Sequence, residues 1–94
     1  MPHMLVRHSV KDYDTWKRTF DEHADVRKGV GSKGAHIFRS ADDANDVVIV
    51  FEFEDLDRAR EFTNSSQLRE IMQQAGVEGP PTFVYMNEAD QVPV

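Results

Sequence analysis

The chain is predicted to fold as an α+β sandwich of ferredoxin-like type, a four-stranded antiparallel sheet with two helices on one face. Three observations predict this. Apolar periodicity gives the order strand, helix, strand, strand, helix, strand. The 94 residues contain no linker, solenoid repeat or low-complexity stretch, so that order belongs to one domain, residues 1–89, with a short tail at 90–94. The run Val47-Val48-Ile49-Val50-Phe51 is apolar on both parities. A sheet with one wet face would alternate instead.

Taken in order, His3 to Val10 form the first strand, with Met4, Val6, His8 and Val10 on one face and Leu5, Arg7 and Ser9 on the other. Asp12 is placed to cap a helix, and Asp14 favours its positive end. Tyr13, Trp16, Phe20, His23 or Ala24, and Arg27 recur at three- and four-residue steps, which sets one helical stripe. Gly29 is expected to stop this helix in the left-handed conformation. Lys33 to Ser40 form the second strand. The turn formers Asp42-Asp43-Ala44-Asn45-Asp46 make a hairpin loop, and Val47 to Glu54 form the third strand.

Asp55 caps the second helix. Its stripes Leu56, Ala59, Phe62 and Leu68, Ile71, Met72, Ala75 are out of phase by roughly a third of a turn. A break is therefore expected at Thr63 to Ser66, with Asn64 or Ser65 recapping the helix. Gly76 ends it, with Val77 as the hydrophobic contact of the stop. Pro80-Pro81 forces an extended entry into a last strand from Thr82 to Asn87.

Composition narrows the function. Net charge is -6 and the pI is about 5.0, whereas nucleic-acid and anionic-membrane binding call for a basic face. With no cysteine, disulfides, thiolate catalysis and cysteine-ligated metals are excluded. No run approaches a membrane span or a signal peptide, and the chain reads as cytoplasmic.

In a ferredoxin-like monomer the helices cover only one sheet face. Val48 and Val50 on the third strand, and Val84 and Met86 on the last, would leave the other face an exposed apolar patch. A second copy packed across a two-fold axis would bury both patches, so a homodimer through the open sheet face is expected.

These segments resemble a known family. Val6-Arg7-His8 stands with Asp12-Tyr13-Asp14-Thr15-Trp16-Lys17 and Phe20-Asp21-Glu22-His23. Ala41-Asp42-Asp43 stands with Val47-Val48-Ile49-Val50-Phe51, and then comes Leu68-Arg69-Glu70-Ile71-Met72-Gln73-Gln74-Ala75-Gly76-Val77. Over nearly its whole length the chain resembles dimeric α+β-barrel proteins of the antibiotic-biosynthesis-monooxygenase-like superfamily, and within it a small bacterial group labelled cyclase. The resemblance implies a sheet-to-sheet dimer with a cleft between helices and sheet in each subunit. It implies little about the reaction, because the superfamily includes oxygenases, haem-degrading enzymes, isomerases, cyclases and proteins of no known activity; a cofactor-independent monooxygenase or polyketide-type cyclase acting on a small apolar or aromatic metabolite is the reading carried forward. Haem-degrading relatives use an Asn on the first strand, a Trp in the second half and a His on the second helix. Here the only Trp is Trp16 and no His follows His36, so that site is not carried over.

Geometry decides between the readings of the remaining motifs. Gly29-Val30-Gly31-Ser32-Lys33-Gly34 spells the dinucleotide fingerprint, but it follows a helix and precedes a strand, so phosphate would meet the wrong dipole end. It reads as a turn. His8 and His36 would have the third strand between them, about 9–10 Å apart, and no metal site is expected.

His23 shares the stripe of Trp16 and Phe20, and His8 shares the strand face of Val6. Both are candidate acid–base residues. Trp16, Phe20, Phe38 and Arg39 are the candidate substrate-binding residues, the aromatics for a flat ligand and Arg39 as polar anchor. No cofactor is expected. A non-catalytic ligand-binding or stress-related dimer, and a pure assembly module, are the alternative readings.

Overall fold

In a computed structural model describing residues 1–94, the elements are β1 (Pro2–Val10), α1 (Tyr13–Glu22), α2 (Ala24–Gly29), β2 (Ser32–Arg39), β3 (Asp46–Phe53), α3 (Leu56–Thr63), α4 (Ser66–Gln74) and β4 (Val77–Asn87). The sheet order is β2-β3-β1-β4, and every neighbouring pair is antiparallel. This is the expected ferredoxin-like α+β fold, with each helical segment divided in two.

Alternation along the central strands sets the layers. Met4, Val6, His8 and Val10 on β1 are buried, as are Val47, Ile49, Phe51 and Phe53 on β3. With Trp16, Ala59 and Ala75 from the helices they form one core. The opposite face is open. One register row there runs His36, Val50, Leu5 and Val84 across all four strands. Phe38, in the next row, is 54% exposed, and Val84 is 42% exposed.

Caps fix where the helices start. The Asp12 carboxylate accepts from the Thr15 N–H at 3.0 Å and from the Thr15 hydroxyl at 2.8 Å. These bonds hold the Asp12 carboxyl below its ordinary range, the hydroxyl bond foremost. Asp55 accepts from the Arg58 N–H at 2.8 Å. The expected break in the second helix falls at Asn64–Ser65, where Ser65 Oγ accepts from the Leu68 N–H at 3.2 Å and restarts the helix.

Three local expectations are corrected. The first helix also breaks, at His23, whose N–H reaches back to Phe20 O at 3.2 Å in a tight i−3 closure before α2 begins. Gly29 ends α2 but does not carry the left-handed turn; that falls on Gly31, at φ 99°. The last strand starts at Val77 rather than Thr82. Val77 and Glu78 pair with Val10 and Ser9, and the ladder then slips before Thr82 meets Arg7. Gly79-Pro80-Pro81 forms the bulge, a place for prolines that have no N–H to give a ladder.

Residues 88–94 form no regular element. No helix is long and apolar enough to cross a membrane.

Candidate functional site

A cavity lies between the helices and the covered face of the sheet. Fourteen of its 17 lining residues are hydrophobic, and its volume is about 70 Å³. Met4, Val6, Ile49 and Phe51 give the sheet side, and α1 and α2 form one wall. Leu68 and Met72 on α4 form part of the other. Together with Phe83, those two also line a larger and more open depression outside, so the three form a partition between cavity and surface.

The polar groups in this lining are three, His8, His23 and Arg27, and none is a carboxylate. His8 projects from β1 opposite Val47 and is 5% exposed. It falls where the β1–β4 ladder slips. Neither ring nitrogen has a hydrogen-bond partner in the protein. Its nearest aromatic neighbour is Trp16, edge to face at 5.7 Å, which offers no lone pair. Burial pushes the imidazole down to about 4, because the charged form would lose its hydration without gaining a counter-ion. His8 is therefore neutral near pH 7, with one N–H and one lone pair both unmet.

His23 sits at the junction of α1 and α2. Its Nδ1–H donates to the Thr19 carbonyl at 2.8 Å. A carbonyl can only accept, so this bond puts the proton on Nδ1 and leaves the lone pair of the neutral ring on Nε2.

Arg27 was visible in the sequence only as the end of the α1 stripe, four residues after His23 and seven after Phe20. Its guanidinium lies over the Phe20 ring, 3.6 Å from the centroid, and donates to the Phe20 carbonyl. It makes no ion pair with any carboxylate within 4.0 Å, unlike Arg7, Lys17, Lys33 and Arg58. Desolvation lowers its pKa, with Asp21 opposing from farther off; an arginine nevertheless stays charged.

One wall thus carries a continuous series of planar groups. His8 meets Trp16, Trp16 stacks on Phe20 at 5.0 Å, and Arg27 covers Phe20. Of the candidate residues, His8, His23, Trp16 and Phe20 line this one cavity, and Phe38 and Arg39 do not. Phe38 points to the open face beside His36. Arg39 shares the helix-side parity of β2, but it lies at the sheet edge. It stacks over Tyr13 at 3.9 Å and donates to the Ala44 carbonyl at 2.8 Å. As an anchor for a ligand in this cavity, Arg39 is thus displaced by Arg27. No group of three His, Asp or Glu side chains is close enough to hold a metal ion.

Several solved structures share this architecture. A candidate antibiotic biosynthesis monooxygenase from Bordetella bronchiseptica superposes with a TM-score of 0.77 at 14% identity, over 94% of this chain and 96% of that one. SnoaB, a cofactor-independent oxygenase from Streptomyces nogalater, gives 0.75 at 14% identity, over 99% and 97%. The monooxygenase from the gene ActVA-Orf6 of Streptomyces coelicolor, in complex with Nanaomycin D, gives 0.68 at 22% identity, over 97% and 89%. No family model and no curated protein sequence matches the chain. At these identities the likeness establishes architecture and leaves chemistry to the site. The resemblance read from the sequence therefore holds at the level of fold: the chain adopts the α+β fold of antibiotic biosynthesis monooxygenase-like structures.

Proposed function

We propose that the chain is a small homodimeric α+β-barrel protein that binds a small apolar or aromatic metabolite in the cavity between helices and sheet. On this reading it acts there as a cofactor-independent monooxygenase or cyclase. The observation that carries the proposal is His8, a neutral imidazole with both nitrogens unmet in an otherwise apolar, aromatic-walled cavity. A buried polar group with no partner costs about 1–3 kcal/mol, which a bound ligand's hydroxyl or carbonyl would recover.

In the proposed chemistry His8 orients the ligand as a neutral hydrogen-bonding partner. His23, with its lone pair on Nε2, is the base that takes a proton from an acidic hydroxyl or activated C–H. The product of that step is an enolate or phenolate and a His23 imidazolium. In ring closure the enolate carbon bonds to a carbonyl carbon of the same ligand, the C=O π bond breaks, and the alkoxide takes the proton back from the His23 imidazolium. In oxygenation dioxygen is co-substrate and oxidant: the enolate supplies the electrons, the new C–O bond gives a peroxide anion that takes that proton, and loss of water from the hydroperoxide leaves a carbonyl. The SnoaB likeness supports a reaction of that class without a cofactor.

The dimer has its own support. The open face presents a row of His36, Val50, Leu5 and Val84, with exposed Phe38 beside it, and a second copy would cover it. The net charge of -6 argues against nucleic acid as partner, and the cysteine-free chain suits the cytoplasm.

Three measurements test these statements. Thermal shift with a panel of flat hydroxyaromatics should find binders that move the His8 ring signals in NMR; a panel without a binder overturns the reading. For a binder, an oxygen electrode and product analysis separate oxygenation from cyclisation. Binding without either reaction favours the non-catalytic ligand-binding dimer. Sedimentation at micromolar concentration should show a dimer that Val50→Lys converts to monomer, and a wild-type monomer sinks the assembly claim.

A further inference from the structure

The two ends of the cavity wall differ in what they lack. At the His8 end, a neutral ring that is 5% exposed has no protein partner for its N–H or its lone pair. At the Arg27 end, a half-buried guanidinium has lost water and makes no ion pair. Trp16 and Phe20 join them as a stacked aromatic strip. No carboxylate lines the cavity, so Arg27 has the Phe20 carbonyl and ring but no counter-ion, and His8 has no hydrogen-bond partner. A desolvated cation beside an unpaired neutral acceptor is an expensive arrangement for an apolar ligand and a favourable one for an anion.

We infer that the ligand is an aromatic or enolic carboxylate of a single ring, with its carboxylate at Arg27 and a hydroxyl at its far end meeting His8. This inference rests on the reading of the cavity as a small-molecule site and adds the charge, polarity and size of its occupant. The carboxylate takes the ion pair that Arg27 has with no protein group. The ring lies along Trp16 and Phe20. The hydroxyl donates to the unprotonated nitrogen of His8 and leaves that imidazole neutral. Size follows from volume. At about 70 Å³ the cavity is about half the ~150 Å³ that takes a benzene ring, so a single ring is the largest occupant its size allows, and it enters only as the partition of Leu68, Met72 and Phe83 gives way. A fused two- or three-ring scaffold is too large.

The test uses the intact wild-type protein and three probes: para-hydroxybenzoate, benzoate and phenol, with toluene as the apolar reference. By titration calorimetry, para-hydroxybenzoate should bind tenfold or more tightly than both benzoate and phenol. Arg27→Gln should cut affinity for the acids by about tenfold or more and leave phenol within about twofold. Arg27→Lys should recover part of the loss, which a merely structural arginine would not show. His8→Phe should remove the advantage of hydroxybenzoate over benzoate while leaving benzoate binding.

Toluene or phenol binding as well as the acids would overturn this inference and leave the cavity reading intact. Binding of no ring at all would overturn both. Acid binding unaffected in Arg27→Gln would place the anion elsewhere and also refute the assignment. Should Arg27→Gln fail to fold, the wild-type comparison of the acids with phenol and toluene decides alone.

Discussion

Replacing His8 by Phe should change how stability depends on pH more than it changes stability itself. In the folded protein burial holds the imidazole at about 4, against 6.5 for a free side chain. Because the folded value is depressed, the neutral ring contributes stability that is fully present above about pH 6.5. That stability is lost as pH falls toward about 4, where the unfolded chain binds a proton that the folded one resists. The gap is roughly 2.5 units at 1.36 kcal/mol each, so about 3 kcal/mol should disappear across that window. A nearby carboxylate would shrink the loss by stabilising the imidazolium, but the cavity lining contains none. Phe keeps a flat ring against the Trp16 edge and has no nitrogen to leave unmet, so near pH 7 His8→Phe should be as stable as wild type or more so. The assay is urea unfolding at a series of pH values, followed by the fluorescence of Trp16, the single tryptophan, 3% exposed in the core. Asp12, Asp46 and Glu54 have carboxyls held below their ordinary range by hydrogen bonds, and they add an acid loss of their own. They do so equally in both proteins and cancel in the difference. Parallel stability curves for wild type and variant between pH 7 and 4 would refute the reasoning, as would an NMR titration placing His8 near 6.5.

Two smaller changes probe the frame that holds the site. Asp12→Ala removes both bonds to Thr15 at the start of α1, and should cost about 1 kcal/mol in urea unfolding while leaving the fold intact by circular dichroism. Gly31→Ala forces a side chain to φ 99° and brings its Cβ to 3.1 Å from Arg58 Nη1. A cost of about 1–2 kcal/mol is expected. It should be accompanied by loss of the Arg58 bond to the Gly29 carbonyl, now 2.8 Å, read as faster amide exchange at the end of α2.

What could be read from the residues was what local periodicity determines. The double-sided apolar run at Val47 to Phe51 fixed β3 as a central strand. Asp12, Asp55 and Gly76 act where their chemistry placed them, and the phase slip between Leu56 and Leu68 located the break that Ser65 recaps. His8 and Val6 share a parity, as do His23 and Phe20 a stripe, and so these two candidates arrive at one cavity. The missed features depend on contacts distant in sequence. Arg39 has the right parity for the covered face, but β2 is an edge strand, and Tyr13 captures the guanidinium before it reaches the cavity. Phe38 differs by one residue and so by a whole face. Arg27 was on the stripe from the start. Its importance comes from the absence of any carboxylate within ion-pair distance, which spacing along the chain does not reveal.

The two histidines are not interchangeable, and the difference can be measured without a substrate. A group held at about 4 gives up its proton readily but accepts one poorly near pH 7, so His8 in the empty cavity is a hydrogen-bonding partner and a weak base. His23 must then be the proton acceptor if acid–base chemistry occurs here, and it can be so only while Nε2 holds the lone pair. The Thr19 carbonyl imposes that tautomer through its 2.8 Å bond to Nδ1–H. Nitrogen-15 NMR of the ring above its pKa should accordingly show Nδ1 protonated and Nε2 bare, the less common tautomer for a free side chain. Cutting the helix at this residue is what makes the bond possible in a useful place, since His23 closes α1 while still reaching the cavity lining. A spectrum with the proton on Nε2 would turn the lone pair toward Thr19, break the bond as drawn, and leave the cavity with no competent base. The same chain would then be a binding protein whose polar groups select a ligand without transforming it.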